Sequence, residues 1–220
     1  MKKFLGGMAG VAFLLAVACA PRANASPVTY TLSMNNIGVS GTIGTVTVTD
    51  VSGGVQVSIA MNSGFSIKLN GGDIAFNLGT SATDTPGAIS FDSITFGSTT
   101  ITSPNISTGS VSSKNISQFG VFDFDIPNLM CAGTGTDSCG HGVVSADDLV
   151  FTVSGLTTAD FGSGSAFAIH FCTASGSNCG PNTGFASNAP TAPTPEPGSL
   201  FLLGTGLIGL GAAVRRRLAA

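Results

Sequence analysis

Four aspartates, grouped as two close pairs, are the residues of this chain whose types and spacing best suit chemistry. The pairs are Asp123 with Asp125 and Asp147 with Asp148, and each member of the first pair follows a phenylalanine. Alternate residues of a β-strand share a face, so we expect the two carboxylates on one face and the two rings, Phe122 and Phe124, on the other. Carboxylates with loop carbonyls can bind Ca²⁺. The pattern is equally typical of the solvated face of an amphipathic strand. We therefore expect no metal or other cofactor, with bound calcium as the alternative.

Catalytic motifs give little support for an enzyme. The chain has no G-x-S-x-G, H-E-x-x-H, phosphate-binding loop or dinucleotide fingerprint. Its one glutamate, Glu196, lies far from the aspartate pairs, so a glutamate-based carboxylate pair for glycoside hydrolysis cannot come from the body of the chain. We expect no catalytic role, with a hydrolase that uses two aspartates as the alternative.

Composition and charge narrow the class of protein. Only 9% of the 220 residues are charged, there are 31 glycines, and there is no tryptophan. A coiled coil or helical bundle needs far more Ala, Glu, Lys and Leu, and a nucleic-acid-binding protein needs a basic face. Between residues 26 and 194, two lysines, Lys68 and Lys114, stand against ten aspartates, a net charge of −8. This segment is therefore predicted to present a solvated acidic surface, and the alternative is a surface that binds cations.

The elements that must position these residues are short β-strands. Period-two alternation and β-rich runs, bounded by Gly, Asn, Asp and Pro, predict about ten strands with turns at close spacing. Residues 44–50 alternate Thr and Val, a turn follows at 52–54, and 55–59 returns as a hairpin. The one helical hint is a single turn after Thr157. Strands without intervening helices predict an all-β fold with a single antiparallel β-sandwich (jelly-roll-like) over residues 26–188. Its expected core phenylalanines are Phe65, Phe76, Phe91, Phe96, Phe122, Phe124, Phe151, Phe167 and Phe171.

Residues 1–25 have the pattern of an export signal. Two lysines precede an uncharged apolar stretch at 4–20, and Ala23 and Ala25 supply the small-x-small pattern that signal peptidase reads. Cleavage is therefore expected before Ser26. The alternatives are an amino-terminal membrane anchor and a lipoprotein signal that ends at Cys19.

The four cysteines that remain after this cleavage predict disulfides. They are Cys131, Cys139, Cys172 and Cys179. An even number in an exported chain indicates a disulfide set, and the short loops favour pairing within each neighbouring couple over the other two connectivities. Because His141 and His170 lie beside cysteines, zinc is the alternative, but the spacings match no zinc template.

Residues 189–217 have the pattern of a second targeting signal. A Pro-rich linker at 189–194 leads to Pro195-Glu196-Pro197, and an uncharged apolar run at 198–214 precedes the basic cluster Arg215, Arg216 and Arg217. Seventeen helical residues span about 25 Å, the short limit for a transmembrane helix. The arginines would keep their end in the cytoplasm, which leaves the body outside the inner membrane. A plain tail anchor is the alternative.

In this order, a Pro-Glu-Pro signature, a short apolar helix and an arginine cluster resemble the PEP-CTERM sorting signal, here at residues 195–217. The resemblance implies processing by an exosortase, with Pro195, Glu196 and Pro197 as the recognised motif and the three arginines as the retention cluster. It also implies a Gram-negative bacterium that makes exopolysaccharide, a transient anchor in the inner membrane, and final placement at the cell surface or in the biofilm matrix. From this we expect a structural or adhesive role, with possible contact to exopolysaccharide. The alternative is a calcium- or carbohydrate-binding module.

Overall fold

The structure is a computed structural model, and it describes residues 26–79, 86–116, 118–131, 145–161, 167–173, 179 and 182–189. Within these residues there are fourteen β-strands and one 3₁₀ turn, and no α-helix, which confirms the all-β prediction. The 3₁₀ turn, Thr158–Asp160, directly follows Thr157, as predicted. The strands are β1 (Val28–Asn35), β2 (Gly44–Val51), β3 (Gly54–Met61), β4 (Ser66–Lys68), β5 (Gly72–Phe76), β6 (Ile89–Phe96), β7 (Thr99–Thr102), β8 (Ile106–Ser107), β9 (Ser112–Ile116), β10 (Gly120–Cys131), β11 (Ser145–Ala146), β12 (Asp148–Ser154), β13 (Phe167–Cys172) and β14 (Thr183–Ala189).

Hydrogen-bonded ladders join these strands into one curled antiparallel sheet. The main order is β7-β6-β12-β3-β2-β1-β14-β13-β5-β10-β8, with β9 paired to β10 and with β4 paired to β13 and β11. The division into two separate sheets, expected for a sandwich, is not confirmed. The reason lies in β1 and β14, which pair with each other and thereby connect the two halves. Alternation in a sequence shows which residues of a strand share a face, but it does not show which other strands pair with that strand.

The predicted hairpin is β2 with β3, and its alternation is that of a half-buried strand pair. Val46 and Val48 are fully buried, while the intervening threonines are only half-buried. The two-residue turn ends at Gly53, whose φ of +83° suits glycine. At Gly54 a Cβ would collide with the carbonyl oxygen of Val153 on β12, so the close approach of these strands needs a glycine there.

The main core is one contiguous apolar cluster of the curled sheet, and eight of the nine phenylalanines expected in the core are buried in it or pack against it. Phe76 is central, with ring centroids 5.5 Å from Phe124, 5.9 Å from Phe161 and 6.1 Å from Phe167. Phe161 was not expected in the core; it follows the 3₁₀ turn and stacks on Phe167. Phe76, Phe151, Phe167 and Phe171 are fully buried in this cluster, and Phe65, Phe91, Phe96 and Phe124 pack against it.

Phe122 is a core residue, as predicted, but it does not belong to the main cluster. It is fully buried, but in a second, smaller cluster with Ala75, Ile116 and Ala168. Ala75 directly follows Ile74 and precedes Phe76, both in the main core. Because neighbouring residues of a strand point to opposite faces, the smaller cluster lies on the other face of the sheet.

Candidate functional site

A bulge in β10 decides where the aspartates of this strand point. Phe122 lies opposite Lys114 of β9, and Asp125 lies opposite Ser112, so three steps along β10 match two steps along β9. The extra residue reverses the alternation. Phe122 and Asp125 therefore share the face of the smaller cluster, while Phe124 turns to the main core opposite Phe76. The prediction that the two carboxylates share one face and the two rings the other is wrong for this reason.

On the face of the smaller cluster, Asp125 belongs to a compact group of three charged side chains that we call the lysine–aspartate cluster: Asp73 of β5, Lys114 of β9 and Asp125 of β10. Lys114 Nζ lies 2.6 Å from Asp73 Oδ2 and 3.3 Å from Asp125 Oδ2. The backbone N–H of Asn128 donates to Asp73 Oδ1 at 3.1 Å. The cluster therefore joins β5 to β9 across the intervening strand β10.

Burial sets the electrostatics of this cluster. Asp125 is 2% exposed, and its Oδ1 has no hydrogen-bond partner in the part of the chain that the structure describes. Burial, reinforced by the charge of Asp73 and opposed by Lys114, raises the pKa of Asp125 to about 6. Burial alone would lower the pKa of Lys114, but its hydrogen bond to Asp73 and the charge of Asp125 outweigh burial and raise it. The cluster thus holds a carboxyl that is readily protonated beside a carboxylate and an ammonium.

His170 of β13 lies on the same face, next to this cluster. Its ring stacks on Phe185 with centroids 4.5 Å apart, and its buried Nδ1 has no partner among the described residues. Burial and the positive charge of Lys68 lower its pKa to about 4, against a raising contribution from Asp73. His170 is therefore a neutral imidazole near pH 7. Both lysines of the body act electrostatically on it.

Sequence reasoning missed this cluster as a site. Asp73 was not among the candidate residues, and Lys114 was counted only as one of two lysines in the acidic segment. His170 was considered only as a zinc ligand beside Cys172. No local signal singled out Lys114, because both lysines of residues 26–194 lie within strands, Lys68 in β4 and Lys114 in β9, and only the strand pairing brings Lys114 to Asp73.

The other candidate aspartates are used locally. Asp123 is exposed, and its carboxylate accepts the backbone N–H of Leu78 at 2.9 Å. Both oxygens of Asp147 are engaged, one by the Ser66 hydroxyl at 3.1 Å and the other by the N–H of Gly97 at 2.7 Å. Burial, followed by the charge of Asp147, raises the pKa of Asp148.

The structure does not gather Asp123, Asp125, Asp147 and Asp148 into one site. Among the described residues, no group of three or more His, Cys, Asp or Glu side chains is placed to hold a metal ion. The cation-binding surface expected as an alternative gains no support from these positions.

One of the two expected disulfides is confirmed. Cys172 and Cys179 are bonded, with Cα atoms 5.3 Å apart, and Cys172 is fully buried at the end of β13. Cys131, at the end of β10, is also disulfide-bonded. Its expected partner Cys139 lies outside the described residues, as does His141, so that pairing stays a prediction.

The two predicted targeting segments, residues 1–25 and 189–217, lie almost wholly outside the described residues. Ala23 and Ala25 are not described, and Ser26, where the mature chain is expected to begin, is exposed. Pro195, Glu196, Pro197, the expected helix at 198–214 and the arginines at 215–217 are also outside. In the part of the chain that the structure describes, no helix has the length and apolar character needed to span a membrane.

Comparison with known proteins bears on residues 193–217. No curated protein and no solved structure is similar enough to the chain to count as a match. The family model described as the PEP-CTERM protein-sorting motif matches residues 193–217, which include Pro195-Glu196-Pro197 and the three arginines. The chain therefore carries the PEP-CTERM protein-sorting motif, which implies an exported, exosortase-processed protein of the cell surface or extracellular space.

Proposed function

We propose that this protein is a structural or adhesive component of the cell surface or biofilm matrix of a Gram-negative bacterium, without catalytic activity and without a bound cofactor. The observation that carries the proposal is the sorting motif at residues 193–217. In this proposal signal peptidase cuts before Ser26, and the helix at 198–214 anchors the chain transiently in the inner membrane. An exosortase then cuts near Pro195-Glu196-Pro197, and the body is released or attached outside.

The body supports such a role. Its curled sheet encloses an apolar core that includes several phenylalanines, and a disulfide closes the loop after β13. Disulfides persist outside the cytoplasm, where this protein is expected to work. Its surface is acidic and rich in hydroxyl groups, which keeps an exported protein soluble. Exopolysaccharide is the proposed partner, through hydrogen bonds to such groups.

Sorting is tested by Glu196→Ala and by replacing Arg215, Arg216 and Arg217 together with alanine. Each variant should accumulate as unprocessed precursor in the inner-membrane fraction of a host that has the exosortase. Thr191→Ala, in the linker outside the matched segment, is the control and should mature normally. Normal processing and release of the Glu196 and arginine variants would refute exosortase sorting.

The matrix role is tested separately on mature protein recovered from the host surface. We expect it to co-sediment with the exopolysaccharide of the same host, with equal binding in EDTA and in calcium. Binding and a melting-temperature shift that both require calcium would replace the structural role with the calcium-binding alternative. Hydrolysis of the polysaccharide would refute the absence of catalysis.

A further inference from the structure

The lysine–aspartate cluster has the arrangement of a self-acylating site. We infer that Lys114 and Asp73 form an intramolecular amide bond, Nζ to Cγ, with Asp125 relaying the protons. The inference does not depend on the sorting motif, because it rests only on residues of β5, β9 and β10.

The first requirement of such a bond is contact between nucleophile and electrophile. Lys114 Nζ lies 2.6 Å from Asp73 Oδ2, and the residues are 41 positions apart in the sequence. Asp73 is held in β5 and Lys114 in β9, so neighbouring strands on either side of β10 fix the two groups in register. Preorganised contact of this kind supplies a large part of the barrier reduction for a reaction between two groups.

The second requirement is a group that moves protons. The hydrogen bond to Asp73 and the charge of Asp125 raise the pKa of Lys114, so its ammonium must give up a proton before the nitrogen can attack. Asp125 Oδ2, 3.3 Å from Lys114 Nζ, is placed to accept that proton, and in the proposed step it passes the proton on to the leaving oxygen. Its Oδ1 is buried with no partner among the described residues, and burial raises the pKa of this carboxyl to about 6. Asp125 can therefore both accept and donate a proton near neutral pH. A carboxyl used only for ion pairing has no need of an unpartnered buried oxygen, which costs free energy.

The third requirement is stabilisation of the oxygen that becomes charged. The N–H of Asn128 donates to Asp73 Oδ1 at 3.1 Å, whereas Lys114 contacts Oδ2. In the proposed reaction Oδ2 leaves and Oδ1 becomes first the oxyanion and then the amide carbonyl. The N–H of Asn128 is thus aimed at the oxygen that stays.

The step balances without any co-reactant. The Lys114 ammonium gives up two protons and keeps one, the Nζ–Cγ bond forms, and the Cγ–Oδ2 bond of Asp73 breaks. Oδ2 leaves with the two protons as water. Asp125 ends in the protonation state in which it began, and the cluster's net charge is unchanged because one positive and one negative charge disappear together.

The bond would clamp β9, which pairs with β10 alone among the described strands, to the interior strand β5. An amide resists reducing agents, so this clamp would hold where a disulfide would not.

The test is the intact mass of the exported full chain after its disulfides are reduced, with peptide mapping of the same sample. We expect a mass one water molecule below that calculated for the recovered ends, and a cross-linked peptide that contains both Lys114 and Asp73. Lys114→Arg keeps the positive charge but removes the amine, so it should restore the full mass. Lys68→Arg, the matched control at the other body lysine, should still lack one water.

Asp125→Asn removes the proton-relaying carboxyl and so tests whether loss of the amide bond can occur in a protein that still folds. We expect this variant to keep the β-sheet circular dichroism of the wild type and to lose all or most of the cross-linked peptide. A folded wild-type protein with the full calculated mass would overturn the inference and leave the cluster as an ion pair only. A deficit of one water that persists in Lys114→Arg would also overturn it, because dehydration would then lie elsewhere.

Discussion

The stability of the body between pH 4 and 6 should report on Asp125 and His170, whose pKa values are displaced in opposite senses. Burial raises the pKa of Asp125 from 3.8 to about 6, and burial with the charge of Lys68 lowers the pKa of His170 from 6.5 to about 4. Asp73 and Lys114 act electrostatically on both groups. The perturbations that separate them are Asp125→Asn and His170→Phe, which keep the shape of the carboxyl and the stacking on Phe185.

The signs follow from which state holds the extra proton. As the pH rises from 3.8 to about 6, the folded chain keeps a proton on Asp125 that the unfolded chain loses, so Asp125 lowers stability progressively. From about 4 to 6.5 the unfolded chain keeps a proton on His170 that the folded chain lacks, so His170 raises stability as the pH rises. Each displacement corresponds to up to about 3 kcal/mol in the free energy of unfolding. In the wild type the two contributions largely cancel over this range.

Each single variant should therefore change the slope of the free energy of unfolding against pH relative to the wild type. From pH 4 to 6, the stability of Asp125→Asn minus that of the wild type should rise by about 2 kcal/mol, and the same difference for His170→Phe should fall by about 2 kcal/mol. In a domain of this size that corresponds to about 4–8 °C in Tm. An amide between Lys114 and Asp73 removes one charge of each sign, so burial still raises the pKa of Asp125.

Urea unfolding at pH 4, 5, 6 and 7, followed by circular dichroism, measures these differences. The double variant is the internal control, and its slope should return to that of the wild type because both contributions are gone. Parallel profiles for the wild type and both single variants would refute the reasoning, since they would mean that neither group changes its pKa on folding.

Two further predictions concern the core and the disulfide. Phe76→Ala removes the ring at the centre of the aromatic cluster and should cost about 3–5 kcal/mol in chemical denaturation; Phe96→Ala, at a half-buried ring, should cost clearly less, and equal losses would contradict the assigned core. Cys179→Ser, which keeps the buried Cys172 in place, should cost about 2–3 kcal/mol. Reducing agent should lower the melting temperature of the wild type more than that of this variant, and an equal response would argue against a stabilising role for the bond.

Local signals in the sequence were enough for the strands and for much of the core. The Thr–Val alternation of residues 44–50 predicts β2, its turn and its partner, because adjacent strands need only a short-range register. The alternation of residues 28–34 places Tyr30 and Leu32 on one face of β1, and both are buried in the main core. The joining of β1 to β14 was not predictable in this way, since the pairing connects residues more than 150 positions apart and leaves no local pattern.

The lysine–aspartate cluster could not be predicted for a different reason. A regular strand places Asp125 with Asp123, and one extra residue in β10 places it with Lys114 instead. Nothing in the composition of residues 122–125 marks the bulge between Phe122 and Asp125, because this bulge depends on how β10 pairs with β9 on one side and β5 on the other. A one-residue irregularity thus changed the assignment of the candidate site while leaving the fold class intact.

The edges of the sheet give this cluster its importance. Unpaired strand edges can template association with other chains, and an exported protein passes through the membrane before it folds. Here one edge is β7, only four residues long and made of threonines around Ile101, and the other is formed by the two-residue β8 with β9. Short polar edges weaken such association, but short strands are also easily detached. On the β9 side, Lys114 reaches over β10 to Asp73, so a strand that pairs only with β10 among the described strands is also held by a side-chain contact to the interior of the sheet. The ion pair of Lys114 and Asp73 therefore lies at an edge where the sheet is easily opened.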